Sequence, residues 1–399
     1  MTPFLNDFCT FLKNSPTSYH AVEQIKGKLL KNNFYEVNKA WDLKKGGRYF
    51  CAREGSLIAF TLPKNRIEKA LIYASHVDSP ALKLKPQAEF VKEGMKLWAV
   101  EVYGAPLLSS WLNRDLALAG KVLYHNKDKL EETLINIYEP VAIIPQLALH
   151  LDREVNEKGL VLNRQEHLNA LAPKTLTQLL DRKPLAHDLF LYPFEEPRVI
   201  GEKYLSSYRL DSLASVYPIL ESFLEKKPSD NLNMIAFFDH EEVGSNTAIG
   251  AESPFLSHTL ERITKTRESY LNVLENSYLV SVDLAHSVHP NYPEKHDAQH
   301  KPQLGQGVLI KTHAQKRYAT DAKSMRPIIE AAIKEKIPYQ ILATRNDIPS
   351  GSTIGPINAS LNGITTVDIG IGQLSMHSAR ELIACEDLSH LKKLLSSIH

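Results

Sequence analysis

The sequence predicts an α/β fold, a mixed sheet flanked by helices, with a β-rich block inserted into it. Three observations carry this reading. Short apolar runs end abruptly in acidic and histidine residues, segments with helical periodicity fall between or after them, and residues from about 88 to 203 read as short strands separated by polar turns. Strands alternating with helices imply a sheet covered on both faces. In such sheets ligands bind beyond the carboxyl ends of the strands, which is where the polar clusters fall.

The elements follow in order. Residues 3–13 and 18–32 carry apolar positions at helical spacing, broken at Ser15-Pro16-Thr17. Leu71-Ile-Tyr-Ala-Ser runs into His76-Val77-Asp78, and Met234-Ile-Ala-Phe-Phe into Asp239-His240-Glu241-Glu242. Tyr278-Leu-Val-Ser-Val runs into Asp283, while Thr365-Thr-Val-Asp-Ile is followed by a glycine-rich turn and His377. Runs of this length suit buried strands, although periodicity alone does not separate them from short helical segments. Helices are expected over 211–226, 254–265, 320–335, 351–362 and 386–398. In the inserted block, Lys96-Leu-Trp-Ala-Val-Glu-Val-Tyr and Gly120-Lys-Val-Leu-Tyr suggest strands, and 173–200 contains proline and is weakly periodic. The expected division is a discontinuous main domain, 1–87 with 204–399, interrupted by a β-rich domain over 88–203.

Composition narrows the function classes. With 47 basic and 46 acidic side chains the net charge is +1, which gives no reason to expect nucleic acid or an anionic membrane as a partner. No apolar run approaches the ~20 residues needed to span a bilayer. Cys9, Cys51 and Cys385 lie far apart and form no CxxC pair, which argues for a reducing compartment. The segment MTPFLNDFCTFLKNSP lacks the pattern of a secretory leader, so a cytoplasmic protein is expected.

The polar clusters carry the chemistry, each with two readings. His76 and Asp78, alternate residues at a strand end, point the same way, so Asp78 can orient the His76 imidazole; a surface hydrogen-bonded pair has the same pattern. Glu241 and Glu242 form either a solvated loop, or one metal ligand beside a carboxylate that takes a proton from metal-bound water. Asp211, opening a helix, serves as an N-cap or as a carboxylate bridging two cations. Asp283 and His377 add a further carboxylate and imidazole. Two histidines with three or four carboxylates and no cysteine suit Zn²⁺, Mn²⁺ or Co²⁺. One bridging aspartate, two terminal ligands per metal and a free glutamate make a complete two-metal hydrolase kit. His286, His289, His296 and His300 crowd a proline-interrupted segment, where hydrogen-bonding or interface roles are favoured over a third metal.

The motifs, in this order, resemble the M18 family of aminopeptidases, the aspartyl aminopeptidase group. The matching segments are Ala74-Ser-His-Val-Asp-Ser-Pro, Asn113-Arg-Asp-Leu-Ala-Leu-Ala-Gly, Leu147-Ala-Leu-His-Leu-Asp-Arg-Glu-Val-Asn, Phe238-Asp-His-Glu-Glu-Val-Gly-Ser, His289-Pro-Asn-Tyr, Arg317-Tyr-Ala-Thr, Ser352-Thr-Ile-Gly-Pro and Leu374-Ser-Met-His-Ser, spread over nearly the whole chain. The resemblance implies a phosphorylase/hydrolase-like zinc peptidase domain with an inserted oligomerisation domain, built from dimers into a tetrahedral dodecamer. It implies two divalent ions per subunit, with Zn²⁺ expected ahead of Co²⁺ or Mn²⁺. His76, Asp211 and Asp283 would bind one, and Asp211, Glu242 and His377 the other. Glu241 would be the general base acting on a metal-bridging hydroxide, Asp78 would hold His76, and His150 would reach a neighbouring subunit's site to stabilise the tetrahedral intermediate. Lys311 and Tyr318 match the family's contacts to an acidic substrate side chain. The implied substrates are peptides with an unblocked N-terminal Asp or Glu.

Four positions depart from the family pattern: Tyr103-Gly-Ala-Pro, Asp211-Ser212, Ser350 and His313. They bear on substrate preference and pocket shape, and none removes an expected ligand or the base. The alternatives are another two-metal amide hydrolase, such as a deacylase or carboxypeptidase, and a non-catalytic, metal-stabilised assembly protein.

Overall fold

The computed structural model describes residues 2–126, 129–226 and 229–398. Four parallel strands form the middle of the larger sheet, in the spatial order Leu232–Phe238, Ala70–His76, Tyr278–Val282 and Thr365–Leu374. Their register brings Phe238 beside His76 and Val282 beside Ile369, so the carboxyl ends lie along one rim. Antiparallel strands extend the sheet outward. Ser56–Thr61 pairs with Leu232–Phe238 on one side, and Val308–Thr312 and Glu381–Ala384 pair with Thr365–Leu374 on the other. The sheet is mixed, as expected.

Period-two alternation sends neighbouring residues of each central strand into different cores. Leu71, Tyr73, Ile235, Phe237, Val280 and Val282 pack in one core with helices Pro3–Lys13, Ser18–Lys31, Leu210–Glu225, Ala322–Glu335 and Cys385–Ser397. Ile72, Ala74, Met234, Ala236 and Phe238 face the other core, against helices Phe255–Thr264, Arg267–Asn276 and Ile354–Asn362. The strands are buried on both sides and therefore read as continuous apolar runs. The break at residues 15–17 is a cap, since the Thr17 hydroxyl accepts the His20 N–H at 3.5 Å. Helix Arg267–Asn276 was not expected; it follows the preceding helix after only Lys265, in the left-handed conformation, and Thr266.

A second, antiparallel sheet comprises Lys129–Ala142, Leu116–Asn126, Ala186–Pro193, Ala81–Lys92, Met95–Tyr103 and Ala170–Leu171, in that spatial order. It has its own core, centred on Trp98 and Trp111. This sheet runs from Ala81 to Pro193, against the expected 88–203. The early start was hidden by an irregularity between Leu84 and Glu89, which breaks the alternation of the first strand. At the other end, Arg198–Ile200 and Tyr204–Ser207 pair with each other and then with Glu381–Ala384 of the larger sheet. Among the described residues, no helix is long and apolar enough to cross a membrane.

Candidate metal centre

The rim of the parallel strands gathers six side chains that are scattered over three hundred residues of sequence. His76 is the last residue of its strand and is buried. Glu241 and Glu242 lie in a single 3₁₀ turn, Glu241–Val243, just beyond Phe238. Asp283 follows Val282, and His377 sits beyond Leu374 with a left-handed backbone (φ 64°). Asp211 stands at the start of Leu210–Glu225, where its own backbone is not helical and the Asp211–Ser212 peptide is cis.

Asp211 is the centre of the arrangement. Its Oδ1 lies 3.2 Å from His76 Nε2, and its Oδ2 lies 3.5 Å from His377 Nε2. His76 Nε2 is also 3.3 Å from Asp283 Oδ1, and His377 Nε2 is 3.3 Å from Glu242 Oε2. Two triads result, His76–Asp211–Asp283 and Asp211–Glu242–His377, and a third overlapping group is His76–Glu241–Glu242. These separations are long for hydrogen bonds. They match the edge of a zinc tetrahedron, where atoms ~2.0–2.1 Å from the ion lie about 3.3 Å apart. Asp211 Oδ1 and Glu242 Oε1 are buried without a hydrogen-bond partner, a cost that a cation would relieve. Asp211 therefore does not cap its helix, and Glu242, with its side chain only 5% exposed, is not on a solvated loop.

Electrostatics point the same way. Five carboxylates, Asp78, Asp211, Asp283, Glu241 and Glu242, surround two imidazoles. Burial pushes Glu241 up to about 7; His76 opposes this, while Asp283 and Asp78 add to it. Burial and Asp211 hold Glu242 well above its ordinary value. Burial would lower His76, but Asp211, Asp283 and Asp78 override it and keep the imidazole well above its usual range. This excess of negative charge is what divalent ions neutralise, and the donor set fits them.

Asp78 does more than face His76. Its Oδ1 lies 3.4 Å from His76 Nδ1 and accepts the Glu241 N–H at 3.1 Å, while Oδ2 accepts the Glu242 N–H at 3.0 Å and the Tyr103 hydroxyl at 2.7 Å. Glu381 was missed in the sequence. It is buried, and its two oxygens accept the backbone N–H of His377 at 2.9 Å and of Asp211 at 3.1 Å. The one available signal was an acidic residue opening the apolar strand Glu381–Ala384.

Lys311 is 1% exposed, which excludes a solvated surface lysine. Its ammonium donates to the Leu284 carbonyl at 2.7 Å, lies 3.4 Å from Asp283 Oδ2, and stands 5.5 Å from the centre of the buried Tyr318 ring. His150 is not brought to the cluster; it lies on an exposed turn between the strand ending at Ala142 and the helix Val155–Lys158. In the histidine-rich segment, His296 Nε2 lies 3.3 Å from the His286 carbonyl, and His300 Nδ1 lies 2.8 Å from Asp297.

The family model for the M18 aminopeptidases, described as aminopeptidase I zinc metalloprotease, matches residues 11–183 and 174–399. The chain belongs to the M18 family. It is thus a metal-dependent aminopeptidase, a hydrolase of peptide bonds. M18 relatives include a probable M18 family aminopeptidase 2 of Ectopseudomonas mendocina, 37% identical over 98% of this chain and 96% of its own. That of Pseudomonas putida is 38% identical over the same shares. Among solved M18-like structures, a chain of the Ape4 and Nbr1 complex superposes with a TM-score of 0.94 at 31% identity, covering 99% of this chain and 85% of that one. The S. cerevisiae mApe1 dodecamer gives 0.86 at 26% identity, covering 99% and 96%.

Proposed function

We propose that this M18 enzyme removes unblocked N-terminal Asp or Glu residues from peptides at a two-zinc centre. The observation that carries the reading is Asp211, whose two oxygens face His76 and His377 separately, at 3.2 and 3.5 Å. His76, Asp211 and Asp283 would hold one ion, and Asp211, Glu242 and His377 the other. The ions would supply Lewis-acid polarisation of the scissile carbonyl and a water acidic enough to attack near neutral pH. Glu241 takes the proton of the attacking water and returns it to the leaving amine.

Asp78 fixes this geometry, since it holds the backbone of Glu241 and Glu242 and faces the far nitrogen of His76. The acidic preference rests on Lys311. Leu284 and Asp283 engage two of its three donors, and the third remains for a substrate carboxylate beside Tyr318. The dodecamer named for the S. cerevisiae relative supports a homo-oligomer here; tetrahedral symmetry, with His150 of each subunit serving a neighbouring site, is the arrangement we propose. The three free cysteines fit a cytoplasmic setting.

Hydrolysis of a panel of aminoacyl-chromophore substrates, with and without N-acetylation, tests the reading. Activity confined to free Asp and Glu derivatives is expected. Turnover of N-acetylated substrates at comparable rates overturns the aminopeptidase assignment, and a preference for neutral residues overturns the role of Lys311.

A further inference from the structure

The smaller sheet sends one segment across to the metal centre. Tyr103 ends the strand Met95–Tyr103, and its hydroxyl donates to Asp78 Oδ2 at 2.7 Å. Two residues on, the Ala105 carbonyl lies 3.1 Å from His377 Nδ1, and the Leu107 N–H donates to the His377 carbonyl at 2.8 Å. Between them, Gly104 has φ +71°, and a Cβ there would stand 3.1 Å from Glu242 Cβ. The segment is thus drawn tight across the Glu242 side of the cluster.

His377 turns Nε2 to its triad and Nδ1 to the Ala105 carbonyl of this segment, while His76 turns Nε2 to its triad and Nδ1 to Asp78, whose main-chain carbonyl lies 3.2 Å away and whose Oδ1 lies 3.4 Å away. A partner on the far nitrogen fixes the tautomer and ring orientation of a ligating histidine. The Asp78 carboxylate accepts from two N–H groups and the Tyr103 hydroxyl, which fixes its plane and leaves Oδ1 facing His76 Nδ1 at 3.4 Å. The Tyr103 ring is held separately, edge-on to Phe190 of the smaller sheet at 5.8 Å.

We infer that Tyr103 is a positioning residue of the metal centre, acting through Asp78 on His76, so that the smaller sheet supplies part of the site. The inference rests on the two-metal reading above. The bland reading is a satisfied buried hydroxyl whose loss costs a little stability and nothing else.

Metal-free wild type, Tyr103→Phe, Asp78→Asn and the double variant would each be titrated with Zn²⁺ in competition with a chromophoric chelator. Tyr103→Phe should weaken one of two zinc sites by about tenfold or more and lower kcat with KM held. The double variant should be no worse than Asp78→Asn alone, because the hydroxyl acts through that carboxylate. Unchanged zinc affinity in Tyr103→Phe overturns the inference, even if Asp78→Asn does not fold. So does an equal weakening of both sites together with a lowered metal-free melting temperature, which marks a stability contact. Fewer than two ions in the wild type is a failure of the two-metal reading, visible before any variant is compared.

Discussion

The Lys311 ammonium lies 3.4 Å from Asp283 Oδ2, so a buried cation stands directly behind one of the carboxylates that face His76. Under the proposed function the pair would tie substrate selection to the metal centre. A change at Lys311 reaches both, and the two effects can be separated.

Lys311→Met removes the cation and keeps much of the stem. For Asp-substrates kcat/KM should fall about tenfold to hundredfold, on the scale of one charged hydrogen bond. For Leu-substrates the fall should be smaller, reporting only the loosened Asp283. Steady-state kinetics on the two substrates check this, and equal losses on both would remove Lys311 from substrate recognition.

Glu241→Gln keeps the shape of the turn and removes the proton acceptor. Turnover should drop about 10²–10⁴-fold, while zinc content by atomic emission stays at the wild-type value. A variant with normal zinc and normal kcat would sink the assignment of the base. Chelation should abolish wild-type activity, and added Zn²⁺ should restore it.

Glu381→Gln leaves one acceptor where two backbone N–H groups, of Asp211 and His377, need one each. One of them then meets an amide NH₂ instead of an oxygen. Zinc affinity or kcat should fall about tenfold to hundredfold, measured by chelator competition and initial rates. Wild-type values in both would reduce Glu381 to a packing residue.

His20 governs part of the acid stability. Burial, aided by Arg209, lowers its pKa from 6.5 to about 4. Between those values the unfolded chain binds a proton that the folded chain does not, so stability declines as pH falls through this window and levels off below it. The full loss approaches roughly 3 kcal/mol for a shift of this size. In His20→Asn the urea midpoint should fall less steeply from pH 6.5 to 4 than in wild type. Parallel curves would place the proton elsewhere.

Much of the site was legible because it lies at strand ends. A strand buried on both faces is a continuous apolar run, so the first acidic or histidine residue after it marks the rim. This is how His76, Glu241, Glu242 and Asp283 stand out. Asp211 is ambiguous in the sequence, since a helix start offers the same residue as cap or ligand; its unpartnered Oδ1 supports the proposed ligand role. Tyr103 and Glu381 were not legible. Tyr103 meets Asp78, 25 positions away, where the two sheets adjoin, and Glu381 meets Asp211, 170 positions away, within the larger sheet's own unit; only the folded chain brings either pair together. The start of the smaller sheet was lost for a local reason, the irregularity between Leu84 and Glu89.

The proposed ligands lie along a rim of strands that are neighbours in space but far apart in the order of synthesis. His76 and Asp211 leave the ribosome long before His377 exists, and a growing chain holds at most one of the two triads. The second triad is therefore the last part of the proposed centre to be completed.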